Sequence, residues 1–169
     1  HTITGWPGGK PHADDTTRPE RAFPYPKRVL IFSPHPDDDV ISMGGTFARL
    51  VEQGHDVHVA YETSGNIAVL DDYIYQQMDI AAAFTHLVGG DTQTMDAAFE
   101  KVKQIIADRK PEDDEPEELL PFKGALRRAE ARGADRYLGI PEDHVHFLNL
   151  PFYETGSVKK KPLSQADID

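Results

Sequence analysis

The sequence predicts an α/β sandwich built on a mainly parallel sheet. Short apolar runs rich in β-branched residues alternate with longer segments in which apolar residues recur at helical spacing. The first strand, helix and strand follow one another closely, as in a βαβ unit with a right-handed crossover. A length of 169 residues suits one globular domain.

The first βαβ unit begins with residues 28–33, an apolar run between prolines that is typical of a strand buried on both faces. Apolar residues in 40–53 recur at helical spacing, and Gly54 ends this helix. The glycine pair 44–45 inside the helix predicts a close approach to the neighbouring loop or sheet, since glycine costs helix stability. Residues 56–61 form the second predicted strand.

Three further helices and one strand continue the alternation. The helices are predicted at residues 71–87, 95–109 and 119–138, and the strand at 144–150. The acidic run 112–118 contains proline and no apolar residue, which indicates a solvated loop. We therefore expect a Rossmann-like three-layer sandwich that is incomplete at its C-terminal end.

Composition restricts the function classes. The chain has 29 acidic and 18 basic residues and a net charge of −11, which disfavours nucleic acid as a partner. It lacks cysteine, so only His, Asp and Glu are available as strong metal ligands. No run reaches the roughly 18 apolar residues that span a bilayer, so we expect no membrane partner and a cytoplasmic location.

The segment 33–39 reads Ser-Pro-His-Pro-Asp-Asp-Asp and lies between the first strand and the first helix. Ligands of open α/β sheets bind at the carboxyl ends of the strands. Imidazole and carboxylate groups are ligands that zinc accepts, and a remaining carboxylate can take a proton from water. An aspartate that only caps the helix is the alternative, but the complete string favours a metal site.

Residues 29–65 resemble the LmbE/PIG-L family of N-acetylglucosaminyl deacetylases, through the His-Pro-Asp-Asp-Asp motif, the glycine pair and Thr63-Ser64-Gly65. The resemblance implies Zn²⁺ as cofactor, with His35 and Asp38 as ligands and Asp37 as the general base. Asp39 stands where the family usually has Glu, at a position that is not a ligand. Thr63, Ser64 and Gly65 follow the second strand, and we expect them to line the same crevice as substrate-binding residues; a simple turn is the alternative.

A second block also resembles the family, through Arg127-Arg-Ala-Glu130, Leu138-Gly139 and Val145-His-Phe-Leu148, and the resemblance suggests Arg127 as a substrate-side residue. The family's third zinc ligand is a histidine from a later motif. We expect it beyond Asp169, which would leave a 169-residue fragment inactive. Residues 27–169 then correspond to the N-terminal part of an LmbE-like domain, with an insertion at about 85–118.

Residues 1–26 are rich in proline and glycine, which predicts a linker from a preceding domain. They resemble the connector of bacterial chains in which a glucosamine-6-phosphate deaminase domain precedes an LmbE-like domain. The partners implied are therefore this deaminase-like domain and an N-acetylated amino sugar.

The remaining histidines are expected to have structural roles. His144 and His146 alternate on a predicted strand and are the candidates for a third ligand within the chain. His55, His58 and His86 each stand alone, without a carboxylate pattern beside them.

The sequence bears on three candidate functions for this chain. The leading one is zinc-dependent hydrolysis of the acetamide of an N-acetylglucosamine-type substrate, which releases acetate and an amino sugar. A non-catalytic or regulatory domain fused to a glucosamine-6-phosphate deaminase is the alternative. A nucleotide-binding module is disfavoured, because no G-x-G-x-x-G follows the first strand and carboxylates occupy the place of a pyrophosphate.

Overall fold

The computed structural model describes residues 26–110 and 112–169, which divide into two units. The first unit contains residues up to 64 and residues 128–149, and the second contains 65–127 and 150–169. The predicted linker at residues 1–26 lies outside the described residues, apart from residue 26.

The helices and strands follow one another along the chain in the order that the sequence predicts. They are β1 (Arg28–Ser33), α1 (Asp38–Glu52), β2 (Asp56–Tyr61), α2 (Asp71–Leu87), α3 (Thr92–Asp108), α4 (Leu120–Leu138) and β3 (Val145–Phe147), with 3₁₀ turns at Asn66–Ala68, Glu142–His144 and Gln165–Asp167. None of the described helices combines the length and the apolar character that a bilayer crossing requires.

The sheet of the first unit has the order β1-β2-β3 and is parallel throughout. Its register pairs Arg28 with Asp56 at the amino end and Ser33 with Tyr61 at the carboxyl end. The α/β fold with a parallel sheet is thereby confirmed, and it agrees with a Rossmann-like arrangement.

One face of this sheet carries the core of the first unit. Alternate strand residues such as Ile31, Val59 and Tyr61 pack against Phe47 of α1 and Ala131 of α4. The other face is open, since Leu30 and Phe32 are 49% and 60% exposed. The prediction that β1 is buried on both faces is therefore wrong for the described residues.

Two local expectations also differ from the structure. A Cβ on Gly44 would make an ordinary 3.9 Å contact with Val40, so the expected close approach at the glycine pair is wrong. The pair instead follows Met43, where φ of −144° interrupts the helical geometry. The last strand ends at Phe147, before the positive φ of Asn149 at 50° turns the chain out of the extended conformation.

The second unit packs α2 against α3. Its core contains Ile74 and Met78 of α2 together with Leu119, and Phe99 and Ile106 of α3 pack against them. The helix predicted from residue 95 begins at Thr92, because the Asp91 side chain caps it by accepting a 3.1 Å hydrogen bond from Thr94 N.

A buried ion-pair network is the main polar feature of the second unit. The Lys123 side chain is only 1% exposed and its Nζ lies 3.0 Å from Asp71 Oδ1 and 2.8 Å from Glu115 Oε1. Arg109 pairs with the same two carboxylates. Glu115 belongs to the acidic run that was expected to be a solvated loop, and its 12% exposure makes that expectation wrong at this residue.

Replacing Lys123 by methionine should destabilise the protein by about 3 kcal/mol, because two buried carboxylates lose a partner and only Arg109 remains to compensate them. Lys103→Met is the matched control, since Lys103 pairs with Glu100 at the surface, where water screens the pair, and should change stability far less. Urea unfolding followed by circular dichroism measures both. Equal effects of the two variants would contradict the assigned role of the buried network.

Candidate active site

The loop between β1 and α1 brings His35 and Asp38 together at the carboxyl end of the sheet. His35 Nδ1 lies 3.0 Å from Asp38 Oδ2, and the backbone N–H of His35 donates to the same oxygen at 3.1 Å. Both side chains are 37% exposed. An imidazole nitrogen and a carboxylate oxygen are therefore adjacent and accessible to solvent.

Asp37, between these residues, has an unusual backbone conformation. Its φ of 119° lies in a region that residues other than glycine rarely occupy. Its carbonyl accepts from Val40 N and Ile41 N at 3.1 and 2.9 Å, as an N-cap residue does, but its side chain makes no capping hydrogen bond. The interpretation of Asp37 as a simple side-chain cap therefore does not hold, and strained residues of this kind cluster at functional sites.

Neighbouring groups hold the loop in place. Ser33 Oγ accepts from Asp39 N at 3.0 Å and lies 2.7 Å from the His35 carbonyl, to which it can donate. The Thr63 hydroxyl and backbone N–H both donate to the Pro34 carbonyl, at 2.6 and 3.1 Å. The end of β2 thereby fixes the loop that follows β1.

A buried polar group under the loop was missed by the sequence reasoning. The Tyr61 hydroxyl lies 2.9 Å from Asp39 Oδ2 and 3.2 Å from Asp135 Oδ2, and both carboxyl groups are almost fully buried. Burial, reinforced by the charge of Asp39, raises the pKa of Asp135 to about 6. Burial likewise raises the pKa of Tyr61, so its hydroxyl stays protonated and can donate.

Asp135 gives little signal in the sequence, because an aspartate late in a helix is usually a solvated residue. The contact between Asp39 and Tyr61 could have been predicted from the sequence. Asp39 belongs to the motif that follows Ser33, and Tyr61 is paired with Ser33 in the register of the sheet.

The other predicted residues divide between the units. Thr63 and Ser64 are buried in the first unit, whereas Gly65 and Arg127 belong to the second. His144 and His146 lie beside His58.

Comparison with known families assigns most of the chain to one family. The PIG-L family, described as GlcNAc-PI de-N-acetylase, matches residues 30–168. The chain belongs to the PIG-L family. The resemblance predicted from the motif is thus confirmed, and the family is one of deacetylases that hydrolyse an amide.

Two curated relatives of this PIG-L chain differ in length and description. A glucosamine-6-phosphate deaminase-like protein of Bacteroides thetaiotaomicron is 56% identical over 170 residues, which cover all of this chain and 26% of the relative. The diacetylchitobiose deacetylase of Thermococcus kodakarensis is 42% identical over 45 residues, which are 27% of this chain and 17% of the relative. The chain thus spans about a quarter or less of these relatives. No solved structure matches it.

Asp135→Asn should change how stability depends on pH. The folded pKa of about 6 exceeds the ordinary value of 3.8, so between these values the native state holds a proton that the unfolded state releases. Stability of the wild type therefore falls as pH rises through this window, by up to about 3 kcal/mol, whereas asparagine cannot ionise.

Urea unfolding at about pH 4 and about pH 7 measures this difference. The advantage of Asp135→Asn over the wild type should grow between the two pH values. Asp143→Asn, at an exposed position, should show no such growth. A constant difference for Asp135→Asn would contradict the raised pKa.

Asp37→Gly should stabilise the protein by about 1 kcal/mol. The positive φ costs about 1–3 kcal/mol with aspartate, and glycine removes this strain. The flexibility of glycine in the unfolded chain cancels part of the gain in stability. Asp72→Gly, in the first turn of α2, should instead cost about 1 kcal/mol. Thermal unfolding distinguishes the two, and a loss of stability in both would contradict strain at Asp37.

Proposed function

We propose that this chain contributes the first part of an active site for zinc-dependent hydrolysis of the acetamide of an N-acetylglucosamine-type substrate. The products would be acetate and the free amino sugar. The observation that carries the proposal is the 3.0 Å pair of His35 Nδ1 and Asp38 Oδ2 in a loop where Asp37 is strained. Membership of a deacetylase family and a relative that is named a diacetylchitobiose deacetylase support the reaction class.

The donor set fits zinc. Neighbouring ligand atoms of a tetrahedral zinc lie about 3.4 Å apart, when each bond is about 2.0–2.1 Å long. The 3.0 Å separation of the two donor atoms needs only a small adjustment to reach this value. When bound, zinc would supply Lewis-acid polarisation of the acetyl carbonyl.

Asp37 is the proposed general base. Its carboxylate would take a proton from the water that attacks the acetyl carbon, and it would return this proton to the nitrogen as the carbon–nitrogen bond breaks. Its side chain makes no capping hydrogen bond to α1, so capping is not the role that places an aspartate here. Asp37 lies between the two proposed ligands in the sequence of the loop, and its backbone there is strained, as is common for residues at functional sites.

The substrate side of the site is proposed from the family resemblance. Ser64, Gly65 and Arg127 are the candidates that would contact the sugar. Thr63 is also a candidate, but its hydroxyl already donates to Pro34, which favours a role in fixing the loop. Substitution of a contact residue should raise KM more than it lowers kcat.

A third zinc ligand is needed for catalysis, since catalytic zinc sites normally use three protein ligands. The resemblance assigns this role to a histidine of a later motif. His144 and His146 are poor substitutes, because their rings lie with that of His58 over the open face of the sheet rather than in the loop between β1 and α1. We propose that activity requires a chain that includes the later motif.

A non-catalytic domain that accompanies a glucosamine-6-phosphate deaminase is the second candidate. The description of the Bacteroides relative as deaminase-like favours it. That description belongs to a protein of which this chain covers 26%. Deacetylase activity in a longer chain would exclude this candidate, whereas zinc binding alone would not.

In a chain extended to contain the third ligand, Asp37→Asn should lower kcat for deacetylation by about 10²–10⁴-fold, the usual contribution of a general base. Zinc content should stay nearly unchanged, because neither His35 nor Asp38 is altered. Asp72→Asn, at an exposed position on α2, is the matched control and should leave kcat unchanged. Release of acetate from N-acetylglucosamine or diacetylchitobiose provides the assay. Full activity of Asp37→Asn would exclude Asp37 as the base.

A further inference from the structure

A second group of metal-binding side chains lies on the open face of the sheet. Asp56 and His58 alternate on β2 and so share a face, His144 lies in the 3₁₀ turn before β3, and His146 lies on β3. The sequence pattern around each of these histidines predicts only a structural role. The parallel register of β2 and β3 brings them together.

We propose that Asp56, His58 and His144 form a zinc site that is separate from His35 and Asp38. Each of the three residues offers a ligand atom, and the three atoms lie within 4.8 Å of one another. Asp56 Oδ1 is 3.3 Å from His58 Nε2 and 3.7 Å from His144 Nδ1. These separations lie on either side of the roughly 3.4 Å between neighbouring ligands of tetrahedral zinc.

The outer contacts of Asp56 suit a metal ligand. Arg28 Nε donates to Asp56 Oδ2 at 2.9 Å, which leaves Oδ1 directed to the imidazoles. The same hydrogen bond is the main cause that holds the pKa of Asp56 below its ordinary value. The carboxylate is therefore ionised at neutral pH, as a zinc ligand must be.

His146 is placed to position His58. Its Nε2 lies 3.1 Å from His58 Nδ1, so it can accept the proton of that nitrogen and leave the lone pair of His58 Nε2 for the metal. Metal-binding histidines usually donate their second ring N–H in this way, which fixes the tautomer and the orientation of the ring.

Zinc binding by His144 would require an existing hydrogen bond to break. Its Nδ1 lies 3.0 Å from the Val57 carbonyl and donates to it without metal, so this hydrogen bond must be exchanged for the metal bond. Its ring also stacks on that of His58, with the centroids 3.9 Å apart.

The cluster has room for an ion and lies away from the candidate active site. An open hollow of about 640 Å³ over this face includes Asp56, His58 and His144 in its lining. His58 precedes Tyr61, the partner of Ser33, by three residues, or about 10 Å along the strand. The core-facing side of the sheet is the opposite one, where Tyr61 reaches Asp39.

Zinc would join β2 to the turn before β3. The strand β3 is short and lies at the edge of the three-stranded sheet. Such a link would stabilise the folded chain in proportion to the excess of zinc over its dissociation constant. Imidazole-rich donors favour zinc over magnesium, so Mg²⁺ should not compete.

The test is calorimetric titration of the chain with zinc in a His35→Ala, Asp38→Ala background, which leaves this cluster as the remaining candidate site among the described residues. One zinc ion per chain should bind, unaffected by Mg²⁺. Adding His58→Ala or His144→Ala should weaken zinc binding by more than about 100-fold. Residues that only hydrogen-bond to a ligand typically contribute 10–100-fold in metal affinity, and loss of a ligand itself should cost more. Absence of a zinc site in this background would overturn the proposal.

His86→Ala is the matched control, because His86 is an exposed histidine on α2 outside the cluster. It should leave the affinity unchanged. Equal weakening by His86→Ala and by His58→Ala would also overturn the proposal.

Two further measurements remain informative if a ligand variant folds poorly. In the unaltered chain, imidazole ¹⁵N resonances of His58 and His144 should shift on addition of zinc, and unshifted resonances would contradict the site. His146→Ala should weaken binding about 10-fold, and His146→Gln should restore part of the loss because its amide oxygen can accept from His58 Nδ1. Equal affinities of both variants and the wild type would exclude the positioning role of His146.

Discussion

The parallel pairing of β1 with β2 is the constraint on which both candidate sites depend. By matching Ser33 with Tyr61, it brings the end of β2 beside the loop that carries His35, Asp37 and Asp38. Thr63 then donates to the carbonyl of Pro34, and Tyr61 reaches Asp39 beneath the loop. A shift of one residue would turn Tyr61 to the open face of the sheet and remove the support of the loop.

The same pairing separates two kinds of polar chemistry. On the core face, the Tyr61 hydroxyl lies between the buried carboxyl groups of Asp39 and Asp135. Burial, reinforced by the charge of Asp39, raises the pKa of Asp135, so this carboxyl group retains a proton at higher pH than an ordinary aspartate. On the open face, the polar groups contact solvent and can exchange their partners for an ion. Burial therefore favours a fixed scaffold on one face and a ligand-binding surface on the other.

The sequence predicted the order and type of the elements well, because periodicity and glycine breaks are local signals. It predicted the adjacency of His35 and Asp38 for the same reason, since a stiff turn of four residues holds them. What it missed depends on pairing across the fold. Asp135 meets Tyr61, and His58 meets His146, only through helix packing and strand register. Burial of Lys123 with Glu115 depends in the same way on distant residues.

The family's chemistry and the metal chemistry of this chain need not coincide. The His35 and Asp38 pair has two donors and needs a third for catalysis, whereas the cluster around His58 has two donors on β2, a third in the turn before β3, and a histidine behind them. Ligands held by a strand and the turn beside it lose less freedom on binding than ligands drawn from flexible segments, so the cluster has the better prospect of holding zinc on its own. Zinc bound to the chain would then indicate an occupied site on the sheet rather than an occupied deacetylase site. With both proposals taken together, metal content and activity become separate properties, and the donor atoms that hold the ion decide which of the two is measured.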